Sequence, residues 1–272
     1  MKSNYEVQTF NDALESENRI HSDDIARRYG FAGALVGGVV VFGHMTYLPI
    51  KAQGVDWLED NEVEVRFLKP AYDGDVLTIE HESQDGSSET RCINTSKTLL
   101  ATMTSHQGTR NPNPAWEIPP AREVEPRQEI SWDNLYTDKP APAHIWRADY
   151  ATNLELTEQL HDDHGIYRGD GALVHPFWIL RQCNAAFVRS FILRAWIHVG
   201  SKLQFHRPLR VGQEIETRMV PVDKWERKGH QFTTLYIPFI VNDEVYVEVE
   251  HTSIFRIAGA EPDEAPGASA PG

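Results

Sequence analysis

The strings Gly33-Ala34-Leu35-Val36 and Gly171-Ala172-Leu173-Val174 are identical and stand 138 residues apart. Carried forward at the same spacing, Phe67 falls on Phe205, Pro70 on Pro208 and Gly74 on Gly212, so RFLKPAYDGD and QFHRPLRVGQ read as one strand and turn written twice. Four matched features at one offset mark an internal duplication.

Each copy has the same order of elements. A Gly-led apolar run long enough for a helix comes first, Gly37 to about Ile50 and His175 to about Leu193. Runs rich in Val, Ile, Phe and Thr follow, as strands do. Strands are expected at 5–10, 63–68, 76–82, 90–94 and 98–105 in the first copy, and at 145–150, 201–205, 214–222, 231–241 and 245–256 in the second. In Val63-Glu64-Val65-Arg66-Phe67 and Val245-Tyr246-Val247-Glu248-Val249 one face is apolar and the other is mostly charged, so these strands have a dry and a wet side. One long apolar helix beside an antiparallel sheet with a spare apolar face is buried most economically if the sheet wraps the helix. The expected fold is therefore α+β, a tandem (double) hot-dog.

A Pro-rich stretch at about 107–127, with Pro112, Pro114, Pro119, Pro120 and Pro126, suits an extended crossover. It divides the chain into an N-terminal domain at 1–120 and a C-terminal domain at 121–257. The last residues, 258–272, carry no large apolar side chain and are expected to be disordered. A formal charge of −14 argues against a nucleic-acid partner, which needs a basic footprint. No apolar stretch reaches the length of a membrane span and the opening residues lack a signal core, so a cytoplasmic protein with no membrane partner is expected. Cys92 and Cys183 fall in different halves and form no disulfide framework, and Cys183 reads as an inert core thiol. The twelve histidines are scattered, with no metal-binding spacing.

Glu15-Ser16-Glu17-Asn18-Arg19-Ile20-His21, followed by Gly30-Phe31-Ala32-Gly33 and then Gly37-Gly38, resembles the MaoC-like dehydratases and R-specific enoyl-CoA hydratases. Their signature is an Asp, any residue, Asn, Pro, an aliphatic and His, ahead of a Gly-led central helix. Asn18, Ile20 and His21 match it, Arg19 replaces the Pro, and Ser16 stands at the Asp. In that family the Asp and His share a water and add it across an enoyl thioester. A serine cannot take the carboxylate's part, so Glu17 is the expected substitute, with Glu15 a weaker one.

The resemblance implies a lyase, a hydratase or dehydratase acting on an acyl-CoA or acyl-carrier thioester. His21 and Glu17 would be the acid–base pair and the Gly38 amide the oxyanion donor. Asn18, Ser16 and Gly37 would line the substrate site. It implies no cofactor beyond coenzyme A as part of the substrate, and a homodimer of fused chains. The Gly38 role has an independent basis, since an amide at the head of a helix has no internal acceptor and carries partial positive charge. At the same offset the second copy has His175-Pro176, with no N–H to offer, so that half is expected only to complete the acyl tunnel. Two other readings remain open. Thioester hydrolysis would need a carboxylate that the first helix lacks between Gly33 and Pro49. A non-catalytic acyl-thioester-binding protein would explain the missing Asp, with Glu15 and Glu17 as solvated charges and His21 as a structural imidazole.

Overall fold

The computed structural model describes residues 1–14, 16–108 and 116–259. The first half runs β1 (Lys2–Gln8), α1 (Asp23–Arg28), α2 (Gly38–Gln53), β2 (Asn61–Phe67), β3 (Val76–Gln84), β4 (Ser87–Asn94) and β5 (Leu99–Gln107). After the crossover come β6 (Gln128–Glu129), β7 (His144–Trp146), α3 (Tyr150–Gln159), α4 (Pro176–Ser190), β8 (Phe191–Ile192) and β9 (Ile197–Phe205). The chain closes with β10 (Ile215–Thr217), β11 (Val220–Arg227), β12 (His230–Val241) and β13 (Glu244–Arg256).

One antiparallel sheet spans both halves in the order β1-β3-β4-β5-β2-β9-β13-β12-β10-β7, with β11 attached to β12. The halves join where β2 pairs with β9, Glu64 opposite Lys202, and these two residues are themselves 138 apart. The seam therefore lies on a pseudo-twofold axis. The duplicated motif makes the same contacts in each copy: Val36 N–H donates to the Ala71 carbonyl at 2.9 Å, and Val174 N–H to the Leu209 carbonyl at 2.8 Å. Gly74 and Gly212 both turn with positive φ, 77° and 81°, which explains why glycine recurs there.

α2 is buried nearly all round, from Val39 through Thr46, as a helix enclosed by other elements must be. It packs on β1, β3, β4 and its counterpart α4. This is the double hot-dog.

Three expected elements differ. The run 214–222 is two strands, β10 ending at Thr217 and β11 starting at Val220, and β11 carries a further irregularity between Pro221, which has no N–H for the ladder, and Asp223. The run 145–150 stops at Trp146, because Asp149 Oδ1 accepts the Thr152 N–H at 3.0 Å and starts α3. α4 ends at Ser190, before Leu193. Of the crossover, 109–115 lies outside the described residues, as does 260–272 of the tail. Among the described residues no helix is long and apolar enough to cross a membrane, and both cysteines are buried free thiols.

Candidate functional site

The head of α2 is the natural starting point. Gly37 is its N-cap, and the Val40 and Val41 N–H groups donate to the Gly37 carbonyl at 3.0 and 3.4 Å. The Gly38 N–H, first of the helix, has no acceptor among the described residues. A Cβ on Gly38 would meet the Phe67 ring at 3.1 Å, so glycine here keeps the approach open.

His21 is brought to this head by a short 3₁₀ turn, Arg19–His21. Its Nδ1 donates to the Leu35 carbonyl at 2.7 Å. Because a carbonyl only accepts, that bond fixes the proton on Nδ1 and leaves a lone pair on Nε2, which lies 3.4 Å from Asn18 Nδ2. Burial lowers the His21 pKa below the ordinary imidazole value. The Leu35 bond and the charge of Asp12 oppose that shift, and Arg181 adds to it. The imidazole is therefore unprotonated at neutral pH.

Asn18 holds the turn from inside. Its Oδ1 accepts the N–H groups of Ile20 and Trp196 at 3.3 and 3.2 Å, and its Nδ2 donates to the Trp196 carbonyl at 3.0 Å. A first-half loop is thereby fastened to the second half.

A cavity of about 230 Å³ opens over this corner, its wall including His21, Asn18, Gly37 and Gly38. The remainder is mainly apolar, with Val36, Val41 and Leu100 from the first half and Trp196, Val199 and Ile254 from the second. Lys69, Asn184 and His198 are its other polar members. Among the described residues no Asp or Glu lines it.

Glu17 is elsewhere. Turning Asn18 inward points its neighbour outward, and the Glu17 carboxylate pairs with Arg127 at 2.8 Å with over half its side chain exposed. This corrects its expected place beside His21. Ser16 is also off the wall, its Oγ donating to the Asn18 carbonyl at 3.3 Å. Glu15 lies outside the described residues.

The carboxylate that does stand near His21 is Asp12. Its Oδ1 lies 3.4 Å from where a Cβ on Gly37 would sit, a point 4.0 Å from His21 Cε1. That oxygen is buried without a hydrogen-bond partner, while Oδ2 receives Arg181 Nη1 at 3.0 Å. Asp12 stands behind the glycine, off the cavity wall. Sequence reading missed it because it precedes the motif at no recognised spacing. The one signal was an Asx turn, Asn11 Oδ1 accepting the Ala13 N–H at 3.0 Å.

The second helix head is closed. His175, the N-cap of α4, accepts the Phe177 N–H on Nδ1 at 3.1 Å and donates through Nε2 to Asp162 at 3.3 Å. Asp162 also receives His164 Nδ1 at 2.5 Å. Asn153 Nδ2 donates to the Leu173 carbonyl at 3.1 Å, the bond that His21 makes to Leu35 in the first half. His175, Asp162 and Tyr167 are buried, and only His164 at the edge of this network is partly exposed. Among the described residues no cluster has the makings of a metal site.

No family model matches the sequence, and no curated protein matches it. Solved structures do match over nearly the whole chain. A protein of Chloroflexus aurantiacus, named for a MaoC-domain dehydratase, is 12% identical, with a TM-score of 0.65 and 95% of each chain covered. A Mycobacterium tuberculosis protein with a double hot-dog fold is 11% identical, with a TM-score of 0.63, covering 93% of this chain and 95% of that one. A Lactobacillus plantarum protein named as an oleoyl thioesterase is 13% identical, with a TM-score of 0.51, covering 96% and 98%. The chain thus shares the double hot-dog fold of proteins named both as MaoC-like dehydratases and as thioesterases.

Proposed function

We propose that this double hot-dog chain hydrates 2-enoyl thioesters, and in reverse dehydrates 3-hydroxyacyl thioesters, with His21 as the acid–base group and the Gly38 amide as the oxyanion donor. The observation that carries the reading is the meeting, on one largely apolar cavity, of an imidazole whose Nε2 carries a lone pair, accepting only the long Asn18 amide bond, and a helix-head N–H with no acceptor among the described residues.

The atoms balance with one base. The water oxygen bonds to C3 while its proton passes to His21 Nε2. The C2–C3 π electrons move toward the thioester carbonyl, whose oxygen becomes an enolate held by the Gly38 N–H. The imidazolium then returns that proton to C2, and His21 is neutral again. No external cofactor enters; coenzyme A or a carrier arm arrives as part of the substrate. Since no carboxylate among the described residues lines the wall, Asp12 acts through its charge, favouring the transient imidazolium. The apolar wall suits an acyl chain.

The test is the fall of enoyl absorbance with crotonyl-CoA or a longer enoyl-CoA. His21→Ala is expected to lower kcat about a hundred- to ten-thousand-fold, the usual range for a lost acid–base group. Thiol release without hydration would replace this reading with thioester hydrolysis. Tight acyl-CoA binding without turnover would replace it with a binding protein.

A further inference from the structure

We propose that Arg181, supplied by the second half, is a positioning residue for the first-half site, holding the Asp12 carboxylate against the His21–Gly37 corner so that the two halves share one acid–base centre. This rests on His21 being the acid–base group.

The geometry points one way. Asp12 comes from the loop after β1 and Arg181 from the second turn of α4, and they meet at 3.0 Å across the boundary between halves. The Asp12 side chain is only 15% exposed. Its second oxygen has no partner of its own, although it is fully sequestered from water. A carboxylate so placed turns toward solvent or takes up a proton unless a cation compensates it. Arg181 is that cation, and a guanidinium stays charged at every working pH. Among the described residues, Asp12 from the loop and Arg181 from α4 are the charged groups that act on His21, with opposite sign.

The duplication supplies an internal control. At the spacing of 138, Gly43 occupies the place of Arg181 and Tyr150 that of Asp12. The space above Gly43 is filled, since a Cβ there would meet Leu160 Cδ1 at 2.9 Å. The closed helix head therefore has no carboxylate at the place of Asp12 and no room for the arginine, and its own buried carboxylate, Asp162, is taken up by His175 and His164. The ion pair belongs only to the head that keeps a free amide and a cavity.

The experiment is a titration of the full chain followed by the imidazole nitrogen resonances, with His21 assigned by its absence in His21→Ala. In the wild-type chain Asp12→Asn is expected to lower the His21 midpoint, corresponding to a two- to tenfold loss of proton affinity. In an Arg181→Gln background the same substitution is expected to move it by less than half as much, because the carboxylate is no longer held in place. Arg181→Lys is expected to restore most of the displacement, which separates positioning from general damage to the fold. Equal displacement by Asp12→Asn in both backgrounds overturns the proposal, as does no displacement in the wild type. Turnover of crotonyl-CoA is read separately. A chain that shows the coupling without hydrating enoyl-CoA keeps this inference and loses the hydratase reading, while hydration without coupling does the reverse.

Discussion

At the first position of each helix the two heads differ in whether the backbone has an N–H to offer. Gly38 and Pro176 are equivalent positions, both first in a helix, and the proline has no N–H. Gly38→Pro therefore imports the second head's condition into the first without asking the helix for a new shape. It is expected to lower kcat for crotonyl-CoA by about a hundred- to a thousand-fold, the usual effect of one lost oxyanion donor. Gly38→Ala keeps the N–H and asks only that the Phe67 ring, 3.1 Å from the new methyl, give way. It should retain most activity, and equal losses in the two variants would remove the amide from the mechanism. The pH profile is set at the same scale. Burial lowers the His21 pKa, and His21 must be unprotonated to take a proton from water, so the acid limb of kcat/KM should fall below pH ~6.5, the ordinary imidazole value.

At the scale of elements, the turn Arg19–His21 matters through what it is tied to. The Asn18 side chain makes four hydrogen bonds from inside the protein, two of them to Trp196 at the approach to β9. Asn18→Ala leaves the Trp196 N–H and carbonyl buried without those partners, at a cost of about 1–3 kcal/mol, measurable in urea melts. The same bonds explain the misplaced acid. The motif drew attention to Glu17 beside Asn18, but with Asn18 turned inward, its neighbour faces the crossover and Arg127. α3 was likewise passed over although Asp149 caps it, because Ile145 to Tyr150 has a strand-like composition and its length had to be decided by the cap.

For the whole molecule, the buried histidines set the response to acid. His44 and His198 are pushed down to about 3 by burial, and His251 is pushed down in the same direction. In the unfolded chain these imidazoles titrate near pH ~6.5. Their folded pKa values are depressed, so the unfolded state binds more protons and stability falls as pH drops below that value toward 3. At pH ~4.5 His44 and His198 each cost roughly 2–3 kcal/mol, a large share of the roughly 5–15 kcal/mol that holds an ordinary domain. The urea midpoint should therefore drop steeply between about pH 6.5 and 4.5. His44→Leu, which removes one such group from α2, should flatten that slope, and an unchanged slope would show that His44 already titrates normally in the fold.

The sequence by itself determined the duplication, the helix-then-strands order of each half, the glycine at one helix head and the proline at the other, and the motif that leads to His21. These are local or repeated features, fixed by periodicity, turn chemistry and a constant offset. Only the tertiary structure decided which carboxylate stands near that imidazole. Asp12, Gly37 and Arg181 are far apart along the chain, and they meet because the β2–β9 seam and the packing of α2 on α4 bring a first-half loop against a second-half helix. Proximity made by folding two copies together leaves no periodic trace in either one, and so that part of the site was not legible until the halves were seen in contact.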